Sequence, residues 1–162
     1  MVARARALAA RRDGHGVTPL RRLDHVAVLV RSTADALQFY EGRLGLRVQS
    51  SEEILAPHVR LTYLDAGNTW VQLVEPLDAD SPLAAWLEKH GEGLHHICFG
   101  VDNVAAAVTE LSDPGSTVEL GNGRGRTSSF LTAVGSHGVR IECTGFVPAE
   151  DVDALSGYLA GP

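Results

Sequence analysis

The chain carries an internal repeat, which restricts the folds open to it. The segment Leu23-Asp24-His25-Val26-Ala27-Val28 returns 71 residues later as Leu94-His95-His96-Ile97-Cys98-Phe99. In both copies, this short apolar segment leads through polar residues into an Ala-rich amphipathic segment, at 34–44 and at 104–112. Neither copy is large enough to bury one face of a sheet by itself, so the repeat predicts two modules that pack as one core.

Both modules show the same order of predicted elements. Apolar periodicity and turn residues predict, for the first module, strand 23–30, helix 34–44 and strands 46–52, 59–65 and 69–75. For the second module they predict strand 94–101, helix 103–112 and strands 116–120, 127–132 and 139–144. A short helix from Ser81-Pro82 to Lys89 lies between the modules. The predicted fold class is therefore α+β, with two tandem βαβββ modules.

Length and composition favour one domain. At 162 residues and 44% apolar content, the chain can form a single good core. We predict a basic, flexible N-terminal arm over 1–21, one domain over 22–146 with modules at about 22–76 and 94–146, and a C-terminal tail over 147–162.

The sequence offers no feature of a membrane protein. No apolar run approaches the roughly 20 residues that a membrane-spanning helix requires. The N-terminus also lacks the apolar core of a secretory signal. We therefore expect a cytoplasmic protein with no membrane partner.

Charge is divided unevenly along the chain. The first 22 residues contain six arginines and one acid, which leaves 8 basic and 19 acidic residues for the rest. A basic arm can contact nucleic acid or an acidic partner, but Ala/Arg-rich leaders are more often disordered or loosely docked. The acidic body has no basic face, which argues against nucleic acid as the main ligand.

Strand alternation gives first expectations for side-chain directions. It turns His95 to the opposite face from His96, which predicts a packing or hydrogen-bonding role for His95. It places Cys98 on the face of His96. It also places Trp70 beside Gln72, where the indole either packs in the core or stacks on a flat substrate.

Several segments together resemble a known family over about residues 22–146. They are Leu23-Asp24-His25-Val26-Ala27, Gln72-Leu73-Val74-Glu75-Pro76-Leu77, Gly91-Glu92-Gly93-Leu94-His95-His96-Ile97 and Gly138-Val139-Arg140-Ile141-Glu142. They resemble the vicinal oxygen chelate superfamily, which includes glyoxalases, bleomycin resistance proteins and extradiol dioxygenases. Within it, they are most similar to the methylmalonyl-CoA epimerases.

The resemblance implies a fold and a metal site. In this family, paired βαβββ modules curl into one cupped, barrel-like sheet. Its metal ligands would fall here on His25, Gln72, His96 and Glu142, which are spaced by 47 residues in the first module and 46 in the second. Two imidazoles, an amide oxygen and a carboxylate leave two positions on an octahedral ion, and suit Co²⁺, Mn²⁺, Ni²⁺, Fe²⁺, Mg²⁺ or Zn²⁺.

The resemblance also implies a reaction. A divalent ion that chelates two substrate oxygens stabilises the enolate formed when the proton α to a carbonyl is removed. Glu142 would be a ligand that also carries a proton. Methylmalonyl-CoA or a similar acyl-CoA is the implied substrate, and a homodimer the implied assembly.

The sequence departs from the epimerases in three places. Leu61 aligns where some of them carry a second catalytic glutamate. A His-Pro-Lys turn before the last strand is missing, so phosphate recognition would depend on arginine; Arg124 and Arg126 either serve this purpose or belong to a plain exposed turn. Arg140 stands where an aliphatic residue is usual, and is either a substrate handle or a solvated residue at the rim.

Two other functions stay open at this point. One is a related metalloenzyme, such as a lyase, dehydratase, cyclase or oxygenase, that acts on a carboxylated small metabolite. The other is a protein that binds a small molecule, as resistance proteins do, without turning it over.

Overall fold

A computed structural model describes residues 19–147 of the chain. The predicted arm over 1–21 and tail over 147–162 fall almost wholly outside these residues, and both stay predictions.

The described residues form eight strands, three α-helices and one short 3₁₀ helix. In chain order they are β1 (Leu20–Leu29), α1 (Thr33–Tyr40), β2 (Arg47–Leu55), β3 (His58–Asp65), β4 (Trp70–Pro76), α2 (Pro82–His90), β5 (Gly93–Val101), α3 (Val104–Leu111), β6 (Gly121–Gly123), β7 (Arg126–Phe130), the 3₁₀ helix (Val134–Ser136) and β8 (Ile141–Gly145). No helix in this part of the chain is long and apolar enough to cross a membrane.

All eight strands belong to one mixed sheet in the order β2-β3-β4-β1-β5-β8-β7-β6. Each module pairs its first strand with its last in parallel, β1 with β4 and β5 with β8. The two modules meet where β1 and β5 pair antiparallel. This arrangement confirms the α+β class with two βαβββ modules, and it relates them by a pseudo-twofold axis between β1 and β5.

The helices begin at the capping residues that the sequence offers. The side chain of Ser32 accepts a hydrogen bond from the backbone N–H of Asp35, and the side chain of Asn103 accepts one from Ala106. Such caps satisfy backbone donors that have no partner within the helix. The first helix ends at Tyr40 rather than at 44, since the chain then turns to start β2 and Gly45 adopts φ +74°.

The predicted strand 116–120 is wrong. The strand that precedes β7 is Gly121–Gly123, and a two-residue turn at Arg124-Gly125, with φ of 51° and 65°, joins it to β7. Val118 instead packs against the core cluster that residues of α3, β5 and β8 form together. An apolar residue that suggested a strand therefore belongs to a loop segment that packs on the core.

The expectation that His95 faces away from His96 is also wrong. In the β1–β5 ladder Ala27 pairs with His96, but Val28 pairs with Leu94, so β5 has one extra residue at this point. Such a bulge interrupts the alternation of side chains. As a result, His95 and His96 line the same cavity.

Candidate metal centre and active site

The sheet register brings the predicted ligands onto adjoining positions of four neighbouring strands. Two rows across β4, β1, β5 and β8 contain them: Gln72 with Ala27 and His96, and His25 with Cys98 and Glu142. Ala27 follows His25 by two residues and so shares its face of the sheet. Each row therefore holds two of the four predicted ligands.

Three of these side chains converge closely. His25 Nε2 lies 3.3 Å from His96 Nε2, and Glu142 Oε2 lies 3.4 Å from the first nitrogen and 3.3 Å from the second. All three residues are buried, and their candidate ligand atoms lie within 4.8 Å of one another. Buried histidine nitrogens and a carboxylate oxygen that face a common point form a group that can hold a metal ion.

Gln72 has an oxygen that the described chain leaves without a partner. Its Nε2 donates a hydrogen bond of 2.5 Å to the hydroxyl of Tyr63, whereas its Oε1 is buried with no hydrogen-bond partner. A buried amide oxygen without a partner is costly, and a cation would satisfy it. The residues present therefore fit a divalent ion held by His25, Gln72, His96 and Glu142.

A carboxylate on the neighbouring residue orients the His25 ring. His25 Nδ1 lies 2.9 Å from Asp24 Oδ1, which directs Nε2 toward His96 and Glu142. Arg126 in turn donates to both oxygens of Asp24, at 2.8 Å each, and to the carbonyl of Gly145 at 3.1 Å. Carboxylates in this position fix the tautomer and direction of a metal-binding imidazole.

His96 has a comparable neighbour. Its Nδ1 lies 2.8 Å from the Nδ1 of His95, while its Nε2 faces Glu142. Burial, together with repulsion from His96 and Arg140, lowers the pKa of His95 to about 3, so this imidazole is neutral. The bulge in β5 makes this pairing of consecutive residues possible.

The charge states within the cluster are coupled. Burial opposes ionisation of Glu142, but its contacts with His25 and His96 outweigh burial and hold the pKa of this carboxyl well below its usual range. Burial likewise opposes the charged form of His25, yet Asp24 and Glu142 raise its pKa. For His96 burial dominates and lowers the pKa. Glu142 is therefore ionised, which is the state in which a carboxylate can bind a cation or accept a proton from a substrate.

The cluster lies in a cavity of about 580 Å³. Apolar residues form much of its wall: Ile54, Val59, Leu61, Val74, Leu83, Trp86 and Phe130. Leu61, the residue aligned with a second catalytic glutamate, lines the cavity directly. Two carboxylates belong to the described lining residues: that of Glu142, which is buried, and that of Glu119, which is exposed.

Arg140 lines this cavity between two aromatic rings and is exposed to solvent, which places it at the rim. Its guanidinium carbon is 4.8 Å from the centre of the Phe130 ring and 5.1 Å from that of Trp86. Within residues 19–147 no carboxylate ion-pairs with it. Arg140 thus has its hydrogen-bond donors available beside the cluster, as a residue that binds an anionic ligand requires.

The structure places the other predicted substrate-binding residues differently. Trp70 packs against the core cluster at the apolar wall and is covered by the guanidinium of Arg124, 4.9 Å from its ring. Arg126 lines the cavity but binds Asp24 through both terminal nitrogens. Arg124 is buried rather than exposed in a turn, and its guanidinium also lies 4.6 Å from the Tyr63 ring.

Sequence reasoning missed two residues that contact the candidate ligands, Asp24 and Tyr63, and it turned a third, His95, to the wrong face. The adjacency of Asp24 to His25 was visible but ambiguous, since neighbours on a strand normally face opposite ways. Tyr63 pairs with Gln72 across β3 and β4, and this register cannot be read from one strand alone.

Residues 24–153 match the glyoxalase/bleomycin resistance protein/dioxygenase superfamily. The chain belongs to this superfamily. The curated protein YqjC of Bacillus subtilis, which is uncharacterised, is 36% identical over 129 residues, or 76% of this chain and 91% of YqjC. The ethylmalonyl-CoA/methylmalonyl-CoA epimerase of Cereibacter sphaeroides is 34% identical over 118 residues, or 72% of this chain and 82% of the relative. The predicted family is thus confirmed.

Further relatives carry the epimerase name. The human mitochondrial methylmalonyl-CoA epimerase is 41% identical over 93 residues, which are 57% of this chain and 53% of the human protein. The match therefore spans about half the length of that relative. A methylmalonyl-CoA epimerase solved in complex with methylmalonyl-CoA and NH₄⁺ superposes with a TM-score of 0.69 at 33% identity, and covers 78% of this chain and 94% of that one.

Proposed function

We propose that this chain is a divalent-metal-dependent epimerase that removes the proton α to the carbonyl of methylmalonyl-CoA or a similar acyl-CoA. The observation that carries the proposal is the convergence of His25, His96 and Glu142 in a cavity that Gln72, whose Oε1 is buried and unpartnered, also lines. The epimerase names among the relatives at 34–41% identity support the reaction.

The parts of the site have distinct tasks under this proposal. A divalent ion, when bound, draws electron density from the substrate oxygens and so makes the neighbouring C–H bond more acidic. Glu142, the buried and ionised carboxylate that lines the cavity, accepts the proton. The apolar wall excludes water, which strengthens electrostatic interactions inside the cavity.

The decisive experiment measures solvent-deuterium exchange at the α-carbon of methylmalonyl-CoA. We expect protein loaded with Co²⁺ to exchange this proton, protein treated with chelator to lose the activity, and added Co²⁺ to restore it. His96→Ala should prevent restoration because it removes one ligand. His58→Ala is the matched control, since this histidine binds Glu53 and Asp78.

Two results would count against the proposal. One is exchange that is equally fast in chelated protein. The other is the absence of exchange with each of the six divalent ions that suit the ligand set.

Substrate binding by Arg140 is a second part of the proposal. Hydrogen bonds to charged groups contribute about 1.5–3 kcal/mol, so Arg140→Ala should raise KM for an anionic substrate by roughly 10- to 100-fold. We expect kcat to change much less, because Arg140 lies at the rim of the cavity. Steady-state kinetics with methylmalonyl-CoA provide the measurement, and an unchanged KM would exclude this role.

A related metalloenzyme, such as a lyase, dehydratase, cyclase or oxygenase on a carboxylated metabolite, is the second candidate. Leu61 favours it, because inversion at carbon calls for an acid and a base on opposite faces and the apolar Leu61 offers neither. Exchange of the α-proton without inversion of configuration would support this candidate over an epimerase. A homodimer and a cytoplasmic location stay predictions.

A further inference from the structure

We propose that Tyr63 is the positioning residue that fixes the orientation of the Gln72 amide and so directs its carbonyl oxygen to the metal. The inference rests on the metal centre proposed above. Tyr63 makes no contact with the reacting atoms under this proposal; it acts through Gln72.

A glutamine that binds an ion through its oxygen still has an NH₂ group that needs a hydrogen-bond acceptor. The oxygen and the NH₂ group of glutamine are almost the same in shape, so packing alone does not decide which end faces a given point. Only the oxygen can bind a cation. A hydroxyl can accept as well as donate, so the Tyr63 hydroxyl can accept a hydrogen bond from the Gln72 NH₂ group when the amide oxygen binds the ion. In the structure Nε2 already donates to this hydroxyl over 2.5 Å. The Oε1 of Gln72 is left buried and unpartnered.

The hydroxyl is itself held firmly in place. Tyr63 is 2% exposed, and its backbone pairs directly with Gln72. The ring contacts His25 edge-on at a centroid distance of 5.7 Å, and the guanidinium of Arg124 covers it at 4.6 Å. Rotation of the phenol away from the amide would break these contacts.

The second module provides an internal comparison. Glu142 is the counterpart of Gln72, and the residue that pairs with it on the neighbouring strand is Phe130. Tyr63 and Phe130 thus occupy equivalent positions beside the two oxygen ligands. A carboxylate has two equivalent oxygens and needs no partner to orient it, whereas an amide does. The hydroxyl is present only beside the amide.

Metal affinity should therefore depend on the hydroxyl oxygen of Tyr63. Tyr63→Phe retains the ring contacts but removes the acceptor for Nε2, so the amide is free to turn its NH₂ group toward the ion. Loss of residues that orient ligands typically lowers metal affinity by about 10- to 100-fold. We expect a loss of this size for Co²⁺.

A double-mutant cycle separates this role from a general structural one. Apoprotein of the full chain is titrated with Co²⁺ for the wild type, Tyr63→Phe, Gln72→Glu and the double variant, and the visible absorption of Co²⁺ reports on its coordination. Tyr63→Phe should weaken binding and alter the spectrum when residue 72 is glutamine. With glutamate at 72, removal of the hydroxyl should change Kd by less than about threefold, since either carboxylate oxygen can bind the ion.

Tyr40→Phe is the matched control, because Tyr40 lies at the end of α1 and contacts Phe39. It should leave Co²⁺ affinity unchanged. Equal affinity of the wild type and Tyr63→Phe would overturn the inference while leaving the metal centre intact. So would an equal loss in both residue-72 backgrounds. Failure of the wild type to take up Co²⁺ would overturn the proposed metal centre, and this inference with it.

Discussion

Glu142→Gln is expected to lower the rate of α-proton exchange on methylmalonyl-CoA by roughly 10²- to 10⁴-fold, the range by which general bases accelerate reactions. Glu142 is the buried carboxylate of the cluster, and its contacts with His25 and His96 keep it ionised. A glutamine has similar size and still offers one oxygen to the ion, but it cannot accept the proton. Because Phe130 rather than a hydroxyl lies beside residue 142, Co²⁺ affinity should fall as well. At saturating Co²⁺ the rate should nevertheless stay low, since the proton acceptor is gone.

The measurement is exchange in D₂O at saturating Co²⁺, with metal content determined in the same samples. Glu119→Gln is the matched control, since this carboxylate also lines the cavity but is exposed to solvent. Its exchange rate should stay within about threefold of the wild type. If the two variants behave alike, or if Glu142→Gln loses activity only through loss of metal, Glu142 does not act as the base.

Asp24→Asn is expected to destabilise the protein by about 3–5 kcal/mol, since it leaves the charge of Arg126 without its counter-ion in a buried site. The Asp24 side chain is 1% exposed and that of Arg126 9%. The pair links β1 of the first module to β7 of the second. The same change replaces the carboxylate that orients His25 by a neutral amide, which has one oxygen to accept from His25 and an NH₂ group that cannot accept. Co²⁺ affinity should therefore also fall, by about 10- to 100-fold.

Urea denaturation of the apoprotein tests the first effect, and Co²⁺ titration tests the second. Asp102→Asn is the control, because the Asp102–Arg21 pair is exposed and screened by solvent, so it adds little to stability. An Asp24→Asn protein as stable as the control variant would show that the buried pair does not hold the modules together.

The pH dependence of this contribution has a definite sign. Burial opposes ionisation of Asp24, but Arg126 and His25 outweigh it and hold the pKa of this carboxyl well below its usual range. A carboxyl with a lowered pKa in the folded state stabilises the protein at pH values above its pKa in the unfolded chain. The stabilisation is lost as pH falls toward the folded-state pKa. The difference in free energy of unfolding between the wild type and Asp24→Asn should thus be largest at neutral pH and should decrease only in acid.

Much of the fold could be predicted because the same module occurs twice in the sequence. Each module has a histidine in its first strand and a candidate oxygen ligand in its last, at intervals of 47 and 46 residues. These near-equal intervals indicated that equivalent strands carry the candidate ligands in both modules. Strand periodicity depends on near neighbours, so the strands that carry the four candidate ligands were predicted close to their observed bounds. The predicted strand 116–120 was wrong because the same kind of apolar pattern arises when a loop residue such as Val118 packs against the core.

The surroundings of the ligands were beyond such reasoning. The bulge that turns His95 toward His96 depends on how β5 pairs with β1, and the contact of Arg126 with Asp24 joins residues 102 positions apart. The sequence alone determined the module, its duplication and the residue types available for a metal site, because these follow from local pattern and spacing. Only the tertiary structure decided which side chains orient the ligands, because hydrogen bonds between strands depend on register and on the packing of two modules into one sheet.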